Sequence, residues 1–528
     1  MLTRRRFLTS AAAGLAAPAL LRRTAAYAAE GPPLPGLAVI DATGTNAFSL
    51  AATAGETTFA GGAATPTLGF NGAYLGPLVR VRSGSRVAAS VENRTGRMVS
   101  AHWHGLLVPG AVDGGPHQPI APGASWRPTL PIAQAPATLW YHTHIHGETG
   151  AGVQAGLAGV LLVTDGGDGA RGLPAATGID DLVLVLQDKR LDAAGRAAYA
   201  PGPADRMHGF LGNTAIVNGA AQPVARAPAG IVRLRLLNGA NGRNFDLSFA
   251  DGRAFTLIAT DQGYLSLPPT LDRLRLSPGE RAEILVDFGR DGDGRLVSLP
   301  HAETRGTMPP GHMMAGMHDS LPIPEVFTAP FPLLAFAVDP DLPTAVRSLP
   351  ASLDGEDTSF PAPAVERRFV MNDMGMPGPA MAAPAPAAGA MDHAAMGHGP
   401  MDAAPRDGGM DHAMPAAADL VFSINGKPFD MARIDAGVAA GTTERWIVSG
   451  QMMGHPFHVH GARFRVESEN GGPPRPENGG WKDTVFVEGE AVLAVRFDHP
   501  ADAATPFMFH CHILEHEDAG MMGQLTVA

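Results

Sequence analysis

The chain is 528 residues long, too long for one compact core, and typical domain sizes of about 150 residues suggest roughly three units. Hydrophobic residues make up 45% and charged residues 17%, which excludes a disordered chain, and 65 glycines with 47 prolines suit many short strands joined by tight turns. A formal net charge of −12 argues against nucleic acid as a partner.

At the N-terminus, Thr3-Arg4-Arg5-Arg6-Phe7-Leu8 sets arginines directly before an apolar stretch, as in twin-arginine export signals. That stretch, to about Leu21, is too short to cross a membrane. Small residues at Ala26-Tyr27-Ala28 suit cleavage, so residues 1–28 read as a signal peptide and the mature chain starts near Ala29. The expected location is the periplasm, or the exterior of the cell if the source is Gram-positive. No later run of about 18 apolar residues follows, so no membrane anchor is expected.

Strand patterns dominate the rest. Leu78-Val79-Arg80-Val81 and Arg86-Val87-Ala88-Ala89-Ser90-Val91 are short, β-branched and bounded by Gly, Ser and Asn. Related stretches return at Ile231-Val232-Arg233-Leu234-Arg235-Leu236 and Glu444-Arg445-Trp446-Ile447-Val448. A second distinctive segment follows each: His102-Trp103-His104-Gly105, Arg243-Asn244-Phe245-Asp246-Leu247 and His455-Pro456-Phe457-His458-Val459-His460-Gly461. Closing segments also echo. Trp140-Tyr141-His142-Thr143-His144 leads to Gly159–Val163, and Phe509-His510-Cys511-His512 leads to Gly523–Val527. The pattern predicts three related β-sandwich units, the middle one having lost the histidine motifs and with them any copper ligands. Joints at Asp165-Gly166-Gly167-Asp168-Gly169 and Asp339-Pro340-Asp341-Leu342-Pro343 divide the mature chain into 29–166, 175–338 and 344–528. An insert at 371–415, rich in Met, Ala, Gly, Pro, Asp and His, is expected to be disordered because it cannot bury enough apolar surface.

Cys511 is the only cysteine, and a lone thiol in an oxidising compartment is a liability unless something holds it. Metal ligation is the simplest explanation. One thiolate, two imidazoles and a weak axial thioether form the ligand set of a blue-copper electron-transfer site. Four histidine clusters surround this idea: His102-x-His104, His142-x-His144, His455-x-x-His458-x-His460, and His510-Cys511-His512 with His516. On a strand, residues i and i+2 share a face, so each His-x-His aims two imidazoles at one place. In His510-Cys511-His512 the cysteine points the other way, and one peptide segment then serves two metal sites.

These motifs resemble those of the multicopper oxidases, which include laccases and ascorbate oxidase. The stretch His510 to Met522 and Trp481-Lys482-Asp483-Thr484-Val485 are most similar to the bacterial copper-efflux (cuprous) oxidases. The resemblance implies an all-β chain of three cupredoxin-like Greek-key β-sandwich domains and four copper ions. Type 1 copper would take His455, Cys511, His516 and axial Met521, with Met522 a rival on sequence. Type 2 copper would take His102 and His458. The two type 3 coppers would take His104, His142 and His512, and His144, His460 and His510. In similar enzymes, acids at the places of Asp113 and Glu517 relay protons. His146 has no place in the pattern.

Methionines point to the electron donor, because thioether sulfur prefers Cu(I). Met371, Asp373, Met374 and Met376 form one cluster, Met308, His312, Met313, Met314 and Met317 another, and Met452 and Met453 precede His455. By resemblance, Met453, Met371, Asp373, Met374 and Met376 are candidate ligands for a substrate copper, although Gln451 stands where similar enzymes have an acid. The expected activity is oxidation of Cu(I) to Cu(II) with reduction of O2 to water, by a monomer, in copper tolerance. Alternatives are a laccase-type phenol oxidase and a copper-sequestering Met/His-rich binding protein.

Overall fold

The computed structural model describes residues 31–300, 329–356, 361–372, 422–450 and 453–528. Its strands form three successive pairs of sheets, each closing on one apolar core, as cupredoxin-like β-sandwiches do. The first core packs Phe48, Val79, Val91, Trp103, Leu139 and Leu161. The second packs Leu184, Leu234, Phe245, Phe255, Ile284 and Leu334. The third packs Phe369, Trp446, Phe457, Phe464, Leu493 and Phe509 around Cys511. Alternation along the strands puts these residues inward, as in Ala47–Thr57, where Phe48, Leu50 and Ala52 are buried.

The echoes in the sequence correspond to equivalent positions in the sheets. In each unit the β-branched repeat runs parallel to an earlier strand of that unit. Ser85–Asn93 pairs with Ala47–Thr57, Ile231–Asn238 with Asp181–Lys189, and Thr443–Gly450 with Val365–Asn372. Each unit also closes with an antiparallel pair. These are Ala137–His142 with Ala158–Thr164, Gly294–Ser298 with Phe331–Asp339, and Phe507–Cys511 with Met522–Val527. The histidine motifs of the first and third units therefore sit at matching ends of matching strands. Phe245–Phe249 holds the corresponding place in the middle unit and carries no histidine.

A short helix, Thr149–Ala155, packs on another, Leu514–Asp518, so the first and third units meet beside the histidines. No helix among the described residues is long and apolar enough to cross a membrane.

Candidate metal centre

Antiparallel pairing gathers the histidines. The His102 N–H donates to the His142 carbonyl (2.9 Å) and the His142 N–H to that of His102 (3.1 Å). In the third unit His458 stands opposite His510, and Phe457 opposite Cys511. Register partners share a face, as do residues i and i+2. Each pair thus recruits its neighbours His104, His144, His460 and His512. The two sets then interlock: His102 stacks on His460 with ring centroids 3.8 Å apart, and His104 on His458 at 3.7 Å. All eight rings are buried, none more than 1% exposed.

Cys511 faces the opposite side, into the core of the third unit. Its Sγ lies 3.4 Å from His455 Nδ1 and 3.7 Å from His516 Nδ1. Met521 packs in the same core cluster, its carbonyl accepting from the Cys511 N–H (3.1 Å) and its N–H donating to His516 O (2.9 Å). Met522 lies instead opposite His510 in the sheet.

The hydrogen bonds sort the imidazole nitrogens. Nδ1–H of His142, His458 and His510 donates to the carbonyls of Thr143 (2.9 Å), Asp483 (2.9 Å) and Cys511 (3.0 Å). Nδ1 of His102 is held by Asp113 O (3.1 Å) and that of His460 by Asp113 Oδ2 (2.8 Å). His104 is reversed: its Nε2 is held by Asp483 Oδ1 (3.1 Å), which leaves Nδ1 inward. Nε2 of His102, His142 and His458, Nδ1 of His104 and both nitrogens of His512 have no hydrogen-bond partner. The Nε2 atoms of His144 and His460 lie 3.4 and 3.2 Å from Nε2 of His510.

Burial, reinforced by neighbouring rings, holds His104, His142, His144, His460, His510 and His512 well below the usual imidazole range. Buried neutral imidazoles with lone pairs converging on nothing are costly. Metal cations are the partners this donor set fits, with nitrogen donors at the cluster and a thiolate added beyond it.

Two acids flank the rings. Asp113 Oδ2 is 3.2 Å from His102 Nδ1 as well as bound to His460, and its Oδ1 is unpartnered. Glu517 sets its two oxygens 3.3 Å from His144 Nδ1 and 3.2 Å from His510 Nδ1, without hydrogen-bond alignment to either. Burial, aided by the neighbouring Asp518, pushes the Glu517 carboxyl well above the usual range.

Trp140, from the same motif, stacks on His142 at 4.1 Å. Other contributors come from distant segments that no local spacing reveals. Phe422 stacks on His516 at 4.3 Å, and the His516 Nε2–H donates to the Met207 carbonyl (3.1 Å) at the end of helix Pro203–His208. That helix belongs to the middle unit and covers the imidazole edge of the cysteine site. Asp483 stood inside a recognised motif, but its spacing from any histidine gave no hint of its contacts.

The candidate substrate ligands fare differently. Met453 is half-buried at the edge of the third core. Met371 is fully buried in that core, in strand Val365–Asn372. Asp373, Met374, Met376, Gln451, Met452, the Met308–Met317 cluster and the rest of the Met-rich insert lie outside the described residues. His146 is exposed, against the edge of Phe429 and away from the centre.

Models described as multicopper oxidase match residues 51–168, 184–295 and 400–528. Among curated relatives, the cell division protein FtsP of Edwardsiella tarda is 36% identical over 469 residues, covering 89% of this chain and 87% of that protein. Among solved structures, a bacterial laccase-like multicopper oxidase, CueO, from the lignin-degrading Ochrobactrum sp. is 38% identical. It covers 94% of this chain and 100% of that one with a TM-score of 0.79. A multicopper oxidase from Campylobacter jejuni, described as a metallo-oxidase, is 26% identical, with 95% and 98% coverage and a TM-score of 0.69.

Proposed function

The chain belongs to the multicopper oxidase family, and from that premise we propose an exported enzyme that oxidises Cu(I) to Cu(II) while reducing O2 to water. In balance, four Cu(I), one O2 and four protons give four Cu(II) and two waters. The observation that carries the reading is a single strand end. His510 and His512 enter the eight-histidine cluster while Cys511, between them, enters the His455–His516 site.

His455, Cys511, His516 and Met521 would hold the type 1 ion. His102 and His458 would hold type 2. His104, His142 and His512, and His144, His460 and His510, would hold the type 3 pair. Bound copper would supply one-electron redox capacity at both sites. The chain supplies the rest. The bonds of Cys511 and its two neighbours form the shortest covalent route between the sites. Burial shields the cluster from bulk solvent. Asp113 and Glu517 sit against the outer nitrogens of four rings, where a proton can be held and passed on. The biological effect would be copper tolerance, in the periplasm after twin-arginine export; residues 1–28 lie outside the described residues.

Metal-replete protein should contain four coppers per chain, give one blue and one ordinary Cu(II) signal by EPR, and consume O2 with Cu(I) as sole reductant. A colourless metal-replete sample would refute the reading. Two specific observations favour other readings. The Ochrobactrum relative is described as having oxidase activity towards lignin model compounds, which favours phenols as donors. The FtsP relatives are named for cell division, which favours a binding role without turnover. Phenol turnover exceeding Cu(I) turnover would select the first, and copper-free protein the second.

A further inference from the structure

The middle unit contributes no histidine, yet it touches the cluster. Asp113 and Asp483 occupy equivalent places in the first and third units. Asp113 holds its own unit's His102 by the backbone carbonyl and the other unit's His460 by the carboxylate. Asp483 holds its own unit's His458 by the carbonyl (2.9 Å) and the other unit's His104 by the carboxylate (3.1 Å). The two acids differ in what else they bind. Asp113 Oδ1 is unpartnered. Both oxygens of Asp483 are saturated from the middle unit: Arg281 donates from Nη1 to Oδ1 (2.7 Å) and from Nη2 to Oδ2 (2.6 Å), and Gln262 Nε2 donates to Oδ2 (2.6 Å). Thr484 Oγ1 donates to Oδ1 (2.9 Å).

We propose that Arg281 is a positioning residue for the histidine cluster: it locks the Asp483 carboxylate, which in turn fixes the reversed orientation of His104. The fork of Arg281 is itself immobilised. Its Nε donates to Thr138 O, Nη1 to Gly279 O, Nη2 to Asp261 O, and its backbone N–H to Asp261 Oδ1. A planar guanidinium holding a carboxylate through two bonds fixes direction as well as distance, which a lysine cannot. The approach is so close that glycine is required on both sides. A Cβ on Gly105, beside His104, would lie 2.6 Å from both Arg281 Nη2 and Asp483 Oδ2. A Cβ on Gly279 would lie 2.8 Å from the His512 ring. The saturated Asp483 holds a ring in place, whereas the half-free Asp113 keeps an oxygen available to a proton. The two equivalent acids have divided the tasks of positioning and transfer.

This inference rests on the copper reading above. The test compares wild type with Arg281→Met, Arg281→Lys and Asp483→Asn, each metal-replete and then titrated with a chelator. Copper per chain, the visible Cu(II)–thiolate band, the ordinary Cu(II) EPR signal and thermal stability are recorded. Removing an outer partner of a ligand typically weakens metal binding roughly 10–100-fold. The expected result is that loss for the copper of the eight-histidine cluster, read as copper per chain under the chelator, in Arg281→Met and Asp483→Asn, partial recovery in Arg281→Lys, and an unchanged visible band, because Cys511 lies beyond Arg281's contacts. Wild-type affinity in the variants overturns the proposal. If Arg281→Met does not fold, Asp483→Asn decides. Parallel loss of both signals and of thermal stability in it marks a general fold contact and also overturns the proposal. A wild type that takes up no copper fails at the first step, and so sinks the copper reading and this inference with it.

Discussion

Replacing Lys189 with methionine should remove the pH dependence of one seam between the first and middle units. Lys189 ends strand Asp181–Lys189 and is 2% exposed. Its Nζ donates to the carbonyl of Gln154, in helix Thr149–Ala155, and to Gln154 Oε1 (2.8 Å). The rings of Tyr74 and Phe59 lie 5.1 and 5.7 Å from it. Burial lowers its pKa from 10.5 to about 7, with the neighbouring Asp188 opposing the shift. The unfolded chain therefore binds more protons than the folded one between about pH 7 and 10.5, and stability from this group rises with pH across that window. The gap of roughly 3.5 pH units corresponds to about 5 kcal/mol, fully felt below pH 7.

Methionine removes that penalty but leaves the Gln154 oxygens unpaired, at about 1–3 kcal/mol. Lys189→Met should thus stabilise the protein near pH 6 by about 2–4 kcal/mol and destabilise it near pH 10, where ~1 kcal/mol of the penalty remains, by up to about 2 kcal/mol. Tyr74, raised by burial, stays protonated throughout. The assay is urea unfolding of metal-free wild type and variant at pH 6, 7, 8.5 and 10. The difference between them cancels the histidines, which both chains share. A wild type-minus-variant difference flat across pH would refute a neutral buried Lys189.

Four further outcomes follow from the cluster and its surroundings. Cys511→Ser removes the thiolate from its site, so the visible band and Cu(I)-driven oxygen uptake should both vanish while the eight-histidine cluster keeps its copper; turnover at the wild-type rate would contradict the route through Cys511. Asp113→Asn should slow oxygen uptake by roughly 10²-fold or more at unchanged copper content, because it removes a proton-holding group from between His102 and His460. Deleting residues 380–415 should raise phenol turnover and lower Cu(I) turnover. Replacing 203–208 by a short glycine linker should uncover His516 and raise phenol turnover alone, measured by paired steady-state assays.

The sandwiches were legible because alternating apolar residues in the repeated segments specify inward faces, and a repeat of such segments specifies a repeat of the fold. The histidines were legible for the same reason, since a period of two on a strand determines which side chains converge. The stacked pairs His102–His460 and His104–His458 were not. They arise from how two units dock, and no local spacing encodes docking. Arg281 and Met207 escaped notice on the same ground, each lying about 200–300 residues along the chain from the group it contacts. The burial of Met371 was not legible either, because it follows from the pairing of Val365–Asn372 with Thr443–Gly450.

The cell-division name of the curated relatives and the oxidase names of the solved structures attach to one fold, and a fold does not choose between them. The choice depends on residues that a structural role would not require. A protein that only docks with partners needs stable sandwiches, and apolar side chains at the eight histidine positions would stabilise them better than buried imidazoles with unpaired nitrogens. Nor would it need a thiol 3.4 Å from one imidazole and 3.7 Å from another, in a core otherwise filled by aromatics and aliphatics. The same holds for Arg281 and Asp483, a fully buried ion pair whose carboxylate also meets a histidine. Buried ion pairs are weak stabilisers, and removing one partner is costly. Retaining one here makes physical sense when the orientation of His104 must be exact to within the tolerance of a metal ligand.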